Sequence, residues 1–164
     1  MPNELNNFTR PDSTGDNVYT GGGTNNFTGI VSFGSGATNT VSNLTFAISA
    51  GASNVCEVAI SAVDASGNLI PAVQNLKVWL SDDATGIGQS GTDASGTVTF
   101  KTASGTVLDT LTAKQSLIVQ TLATGVFTLE ITDSAKTTFY VSVENPFTGK
   151  TVVSRILATG DYGA

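Results

Sequence analysis

The chain has 164 residues and a net charge of −6, with only 12% charged residues but 40% hydrophobic ones. This composition excludes an acidic disordered tail. The seven scattered Lys and Arg residues argue against binding to nucleic acid or to an anionic membrane. The chain has no histidine, which excludes the catalytic triads and acid/base sites that depend on an imidazole.

The first 39 residues are rich in Gly, Asn, Thr and Ser and keep no helical or strand period. This pattern predicts an extended N-terminal arm over residues 1–39. Phe8, Phe27 and Phe33 are spaced along it and are candidate partner-binding residues. Two interpretations are open: these side chains fold back onto the domain that follows, or they insert into a neighbouring subunit.

From residue 40 onward, apolar and polar residues alternate in short runs, which predicts β-strands. Turn clusters rich in Gly, Asp, Ser and Thr separate these runs every 8–12 residues or so. The pattern predicts an all-β sandwich or barrel over residues 40–164. The residues expected to face the core include Leu44, Phe46, Ile48, Cys56, Val58, Ile60, Leu76, Val78, Leu80, Val98, Phe100, Phe127, Leu129, Ile131, Phe139, Val141 and Val143.

The tetrapeptide Asp-Ala-Ser-Gly occurs twice, at residues 64–67 and 93–96. Paired aspartates suggest catalysis or metal binding, but turn chemistry accounts for the same residues. Asp accepts hydrogen bonds from the backbone that follows it, and Gly adopts a positive φ without steric cost. We therefore predict that both motifs are turns between strands.

Other candidate sites also have simpler interpretations. Asp82 and Asp83 could hold Ca²⁺, yet they lack the spacing of a known calcium loop, so a solvated acidic turn is expected. Cys56 alternates with apolar residues and is expected to be a buried thiol that acts as a small hydrophobe. Trp79 points away from the face of Leu80, so a loop or the arm covers it, or it is an interface anchor. No catalytic residue, cofactor or metal is predicted.

Residues 58–102 resemble the bacterial immunoglobulin-like domains of invasin-type proteins. The matching positions are Asp64, Gly67, Asn68, Pro71, Thr92, Asp93, Gly96, Val98 and Phe100. The longer stretch 54–163 is similar to the immunoglobulin-like domain of head-decoration and head-fibre proteins of tailed bacteriophages. The chain departs from the invasin-type pattern after Phe100, where an additional segment intervenes.

The resemblance implies an immunoglobulin-like antiparallel β-sandwich and a non-enzymatic structural protein of the virion. Its implied place is the capsid surface after assembly in the host cytoplasm, and its implied partners are the major capsid protein and further copies of itself, such as a trimer. The alternative is a host-recognition module, of the tail-fibre or adhesin type, that binds a cell-surface glycan or protein. A hydrolase is disfavoured because aromatic residues, which would wall a sugar cleft, make up only 7% of the chain.

Overall fold

The computed structural model describes residues 43–164, which form nine β-strands and a short 3₁₀ turn, Thr159–Asp161. The strands are β1 (Asn43–Ala50), β2 (Val55–Val63), β3 (Asn75–Ser81), β4 (Val98–Phe100), β5 (Thr106–Thr112), β6 (Ser116–Gln120), β7 (Val126–Thr132), β8 (Tyr140–Glu144) and β9 (Thr151–Val153). Within this range no helix is long and apolar enough to cross a membrane. The predicted arm lies outside the described residues, so its boundary at residue 40 stays a prediction.

The strands form two antiparallel sheets. The first has the order β1-β2-β7-β4, and the second has the order β5-β6-β3-β8-β9. Buried side chains from both sheets belong to one hydrophobic core. The prediction of an all-β sandwich is confirmed.

Seven strands follow the order of immunoglobulin constant domains, in which an ABED sheet packs on a CFG sheet. If β1, β2, β3, β4, β7, β8 and β9 are taken as A to G, the first sheet reads A-B-E-D and the second contains C-F-G. The hairpin β5–β6 is inserted between D and E and extends the second sheet beyond β3. This insertion is the additional segment that follows Phe100 in the sequence.

The core is built from the alternating residues that the sequence indicates. On β2 and β7 the inward side chains lie opposite one another, so that Ile60 pairs with Phe127 and Val58 with Leu129; all four are fully buried. Cys56 is also fully buried, as predicted. Burial raises the pKa of its thiol to about 12, so almost none of the reactive thiolate forms at neutral pH.

Strand β5 forms an edge of the second sheet and is irregular. Its pairing with β6 skips one residue between Val107 and Asp109 and another between Thr110 and Thr112. The skipped residues, Leu108 and Leu111, are exposed. Such bulges bend an edge strand and disturb its unpaired hydrogen-bonding row, which makes this edge a poor template for a further strand.

The first Asp-Ala-Ser-Gly motif is the predicted turn. Gly67 has a φ of 83°, and its N–H donates to the Asp64 carbonyl at 3.0 Å. The Asp64 carboxylate accepts from the N–H groups of Ser66 at 2.8 Å and Asn68 at 2.9 Å. The hydrogen bonds from Asn68 and Ser66 lower the pKa of Asp64.

The second motif is not a tight turn, which corrects the prediction. The N–H of Gly96 donates to the carbonyl of Thr132 on β7 at 3.0 Å, and the Asp93 carboxylate accepts from the Gln115 amide at 2.7 Å. The motif is a bend that leads into β4. The same four residues adopt a different backbone structure here, because the acceptor for the Gly96 N–H is a carbonyl of β7 and not the carbonyl of the motif's own Asp.

The loops lie at two ends of the sandwich. The end at which β1 begins, here called the arm end, carries the loops 64–74, 101–105, 121–125 and 145–150. The opposite end, here called the tail end, carries the loops 51–54, 82–97, 113–115 and 133–139 and the C-terminal segment 154–164.

The C-terminal segment closes the tail end by joining both sheets. The N–H of Leu157 donates to the Phe139 carbonyl beside β8 at 2.8 Å, and the Leu157 side chain is fully buried. Further along, the N–H of Gly163 donates to the Val55 carbonyl on β2 at 3.0 Å. The segment therefore ties the second sheet to the first.

Asp133 organises the neighbouring loop at the same end. Its carboxylate accepts from the N–H groups of Ser95 and Ala135, both at 3.1 Å, and of Thr137 at 2.7 Å. Tyr162 in the C-terminal segment donates its hydroxyl to the Thr137 carbonyl at 2.7 Å. Burial alone would raise the pKa of Asp133, but the hydrogen bonds from Thr137 and Ser95 outweigh it and hold the pKa at about 2.

Candidate interaction surface

Trp79 lies on the outer face of the second sheet, as its alternation predicts. Its neighbours Val78 and Leu80 are buried in the core, whereas Trp79 is half-buried. Its indole N–H donates to the Gly86 carbonyl at 3.0 Å, and the Lys77 ammonium lies 5.7 Å from the ring centroid, within cation–π range. The structure thus supports cover by a loop, and contact of Trp79 with a partner stays a prediction.

Residues 82–91, here called the cap, fold back over this part of the sheet. The Gln89 amide donates to Ser116 Oγ at 3.1 Å. Gly86 is so close to the sheet that a Cβ atom there would lie 2.7 Å from Ser142 Oγ and 2.8 Å from Thr151 Cγ2. The buried Ser142 hydroxyl has no hydrogen-bond partner among the described residues. The cap is therefore packed directly on the strands.

Two glycines of the cap allow a matched test of this packing. Gly86 and Gly88 have φ values of 73° and 77°, but a Cβ atom would clash at Gly86 and meets nothing within 4 Å at Gly88. Gly88→Ala should cost about 1 kcal/mol for its left-handed backbone. Gly86→Ala should cost at least about 2 kcal/mol because the cap must also lift.

Tryptophan fluorescence reports on the cap because the chain has a single Trp. We expect Gly86→Ala to shift the emission of Trp79 to longer wavelength, as water reaches the indole, and Gly88→Ala to leave it unchanged. Equal spectra for the two variants would contradict the described packing of the cap.

Exposed apolar side chains are concentrated at the arm end. Eight large apolar side chains within residues 43–164 are conspicuously exposed, of which two are the β5 leucines, one is Ile87 of the cap and one is Ile156 of the C-terminal segment. The other four are at the arm end: Leu69 at 53%, Val73 at 52%, Leu122 at 40% and Phe147 at 55% exposure.

Hydrogen bonds fix two of the arm-end loops to each other. The N–H of Gln74 donates to Thr121 Oγ1, and the N–H of Thr121 donates to the Gln74 carbonyl, both at 2.9 Å. These bonds directly follow the end of the β3–β6 pairing, in which Asn75 lies opposite Gln120. Val73 and Leu122 each adjoin one residue of this hydrogen-bonded pair in sequence, so the two joined loops carry both of them.

Phe147 is presented by a turn that is also fixed. The buried Asn145 accepts, through Oδ1, from the N–H groups of Phe147 at 2.9 Å and Thr148 at 3.2 Å. Rigid loops that display apolar side chains lose little conformational entropy when they bind. The arm end therefore has the properties of a protein-binding surface.

The acidic pair of the cap is engaged in local hydrogen bonds. Asp82 accepts from Ser90 Oγ at 2.7 Å and from the Gly91 N–H at 2.8 Å. Asp83 accepts from the hydroxyl and the N–H of Thr85, both at 2.6 Å, and these bonds lower the pKa of Asp83. No group of three or more His, Cys, Asp or Glu side chains that could hold a metal occurs in the part of the chain described.

Of the four predicted partner-binding residues, the structure places only Trp79. Phe8, Phe27 and Phe33 lie outside the described residues, and their role stays a prediction. The exposed apolar residues of the arm end were not among the residues predicted from the sequence to bind a partner. The signal that could have found them is a large apolar residue inside a turn cluster, as in "LATG" around Leu122 or "NPFTG" around Phe147.

No family model, curated protein or solved structure matches this chain. The strand order is similar to that of immunoglobulin constant domains, and this is a similarity of fold only. The resemblance to invasin-type and phage domains stays a prediction.

Proposed function

We propose that this chain is a non-enzymatic structural protein that decorates a phage capsid through its N-terminal arm and the arm end of its sandwich. The observation that carries the proposal is the set of exposed apolar side chains, on hydrogen-bonded loops, at the end where residues 1–42 join the described structure. Burial of apolar surface drives most protein association, and the best anchors are apolar side chains on preorganised backbones.

The choice of a capsid as the surface rests on the resemblance of residues 54–163 to phage head-decoration and head-fibre domains. The partner is then the major capsid protein, and the protein acts as a symmetric oligomer such as a trimer. With the arm end against the capsid, the tail end projects outward. The acidic net charge of −6 favours solubility of the decorated particle.

A double substitution tests the surface. Val73→Ser with Leu122→Ser should weaken binding to undecorated capsids about tenfold or more, because two exposed apolar anchors are lost. The matched control is Leu108→Ser with Leu111→Ser, which removes two leucines of similar exposure from the β5 edge. Co-sedimentation with capsids measures both, and equal binding by the two double variants would show that the arm end is not the contact.

The second candidate function is that of a host-recognition module, and the position of Phe147 favours it. This exposed aromatic residue follows Glu144 by three positions, and an aromatic side chain near a carboxylate suits the binding of a sugar or a peptide. Recognition predicts that the purified protein binds host cells, whereas decoration predicts that it sediments with capsids and leaves cells unlabelled.

A further inference from the structure

The two ends of the cap are fastened together where the cap leaves and rejoins the second sheet. The Asp82 carboxylate accepts from Ser90 Oγ at 2.7 Å and from the Gly91 N–H at 2.8 Å. The N–H of Ser90 also donates to the Leu80 carbonyl on β3 at 2.8 Å. These three hydrogen bonds close the base of the cap.

The tip of the cap, residues 84–89, is attached to the sheet more weakly. Among the described residues, two side-chain hydrogen bonds hold it there: the Trp79 indole N–H donates to the Gly86 carbonyl at 3.0 Å, and the Gln89 amide donates to Ser116 Oγ at 3.1 Å. No apolar side chain of the cap is buried. Segments with few buried apolar contacts open locally at a free energy below that of global unfolding.

A buried hydroxyl beneath the tip disfavours the closed position. Ser142 lies opposite Trp79 in the pairing of β3 with β8 and is fully buried, and its Oγ has no hydrogen-bond partner among the described residues. A Cβ atom on Gly86 would lie 2.7 Å from this oxygen, so the backbone of the tip covers it. Burial of a hydroxyl without a partner destabilises the state that buries it.

We propose that the cap is a lid whose tip swings away from the sheet while its base stays closed. In the open position water supplies the missing hydrogen bond of Ser142, and the indole of Trp79 is accessible on the outer face. The two side-chain hydrogen bonds of the tip oppose opening, and the unpartnered hydroxyl favours it. A local equilibrium therefore sets the exposure of the single Trp, without unfolding of the sandwich.

The lid goes beyond the proposed function, which places the capsid contact at the arm end. Opening uncovers an aromatic ring between two hydroxyls, because the strand register places Ser116 on one side of Trp79 and Ser142 on the other. A partner that contacts Trp79, as the sequence predicts, therefore binds the open cap and shifts the equilibrium towards it.

Hydrogen exchange of the Trp79 indole N–H, followed by NMR on the full chain, tests the lid. This N–H exchanges when its bond to the Gly86 carbonyl breaks. We expect its protection to be at least about tenfold lower than that of the core amides of β2, and insensitive to low concentrations of urea, as for a local opening. Protection equal to that of the core amides, with the urea dependence of global unfolding, would overturn the proposal.

Ser142→Ala should slow this exchange about fivefold or more, because the closed lid no longer buries an unpartnered hydroxyl. Ser154→Ala is the matched control. The buried Ser154 hydroxyl donates to the Arg155 carbonyl at 2.7 Å and accepts from the Val141 N–H at 2.9 Å, so its removal should not slow exchange. Unchanged or faster exchange in Ser142→Ala, or equal slowing in both variants, would contradict the lid.

Gln89→Ala provides the opposite change. It removes one of the two hydrogen bonds that hold the tip, so we expect the Trp79 indole N–H to exchange about fivefold faster. An exchange rate equal to that of the native chain would show that the tip does not open as a lid. Failure of capsid binding would leave all these rates unaffected and would count only against the decoration function.

Discussion

Asp133→Ala should lower the free energy of unfolding by about 3 kcal/mol, because three backbone N–H groups at the tail end lose their acceptor. The carboxylate is buried and joins Ser95 of the bend before β4 to Ala135 and Thr137 of the next loop. Chemical denaturation followed by circular dichroism measures the change. Asp64→Ala is the matched control, since that carboxylate caps an exposed turn, and its effect should be much smaller.

The loss of folding stability at acid pH provides a second measurement of the contribution of Asp133. Because its folded pKa of about 2 lies below the ordinary aspartate value of 3.8, ionisation of this group stabilises the fold above about pH 4. This stabilisation, about 2 kcal/mol, is lost as the pH falls from about 4 towards 2. Asp133→Asn should flatten the pH dependence of stability in that window. An Asn variant with the slope of the native chain would contradict this role.

Leu157→Ala should lower the free energy of unfolding by about 3 kcal/mol, the usual cost of truncating a buried leucine. Leu157 is fully buried in the core and lies in the segment that ties the two sheets together. Its loss creates a cavity at the tail end and loosens the contact of Gly163 with β2.

Ile156→Ala is the control for Leu157 because the two aliphatic residues are adjacent and Ile156 is exposed. We expect the Ile156 variant to change stability by less than about 1 kcal/mol. Urea unfolding curves for the two variants measure the difference. Similar losses in both would show that the segment does not close the core through Leu157.

The alternation of apolar residues predicted most of the sandwich because buried strands follow a strict period of two. Ile60, Val78, Leu129 and Val141 are fully buried as expected, and Trp79 lies on the outer face. Strand β5 could not be predicted in the same way. The bulges at Leu108 and Leu111 break its alternation, so the segment carries neither a strand nor a helical period.

The second Asp-Ala-Ser-Gly motif shows a different limit of sequence reasoning. Its N–H groups donate to the Thr132 carbonyl and the Asp133 carboxylate, and these two residues lie more than 30 positions away in the chain. The turn chemistry of four residues does not contain that information. The first motif was predictable because its acceptor, Asp64, is local.

The arm-end surface depends on strand pairing. Val73 and Leu122 are 49 residues apart in sequence, and the pairing of β3 with β6 brings their two loops together. Each was visible only as an apolar residue within a turn cluster. The topology decides which turn clusters lie at the same end of a sandwich. The sequence pattern does not determine that topology.

Cryo-electron microscopy of undecorated capsids mixed with the full chain tests attachment of the protein to a capsid through its arm end. We expect additional density in which the arm end faces the capsid and the tail end points outward. We also expect that density to be lost when residues 1–37 are deleted from a chain that still folds. Bare capsids, unchanged density after the deletion, or a tail end that faces the capsid would contradict it.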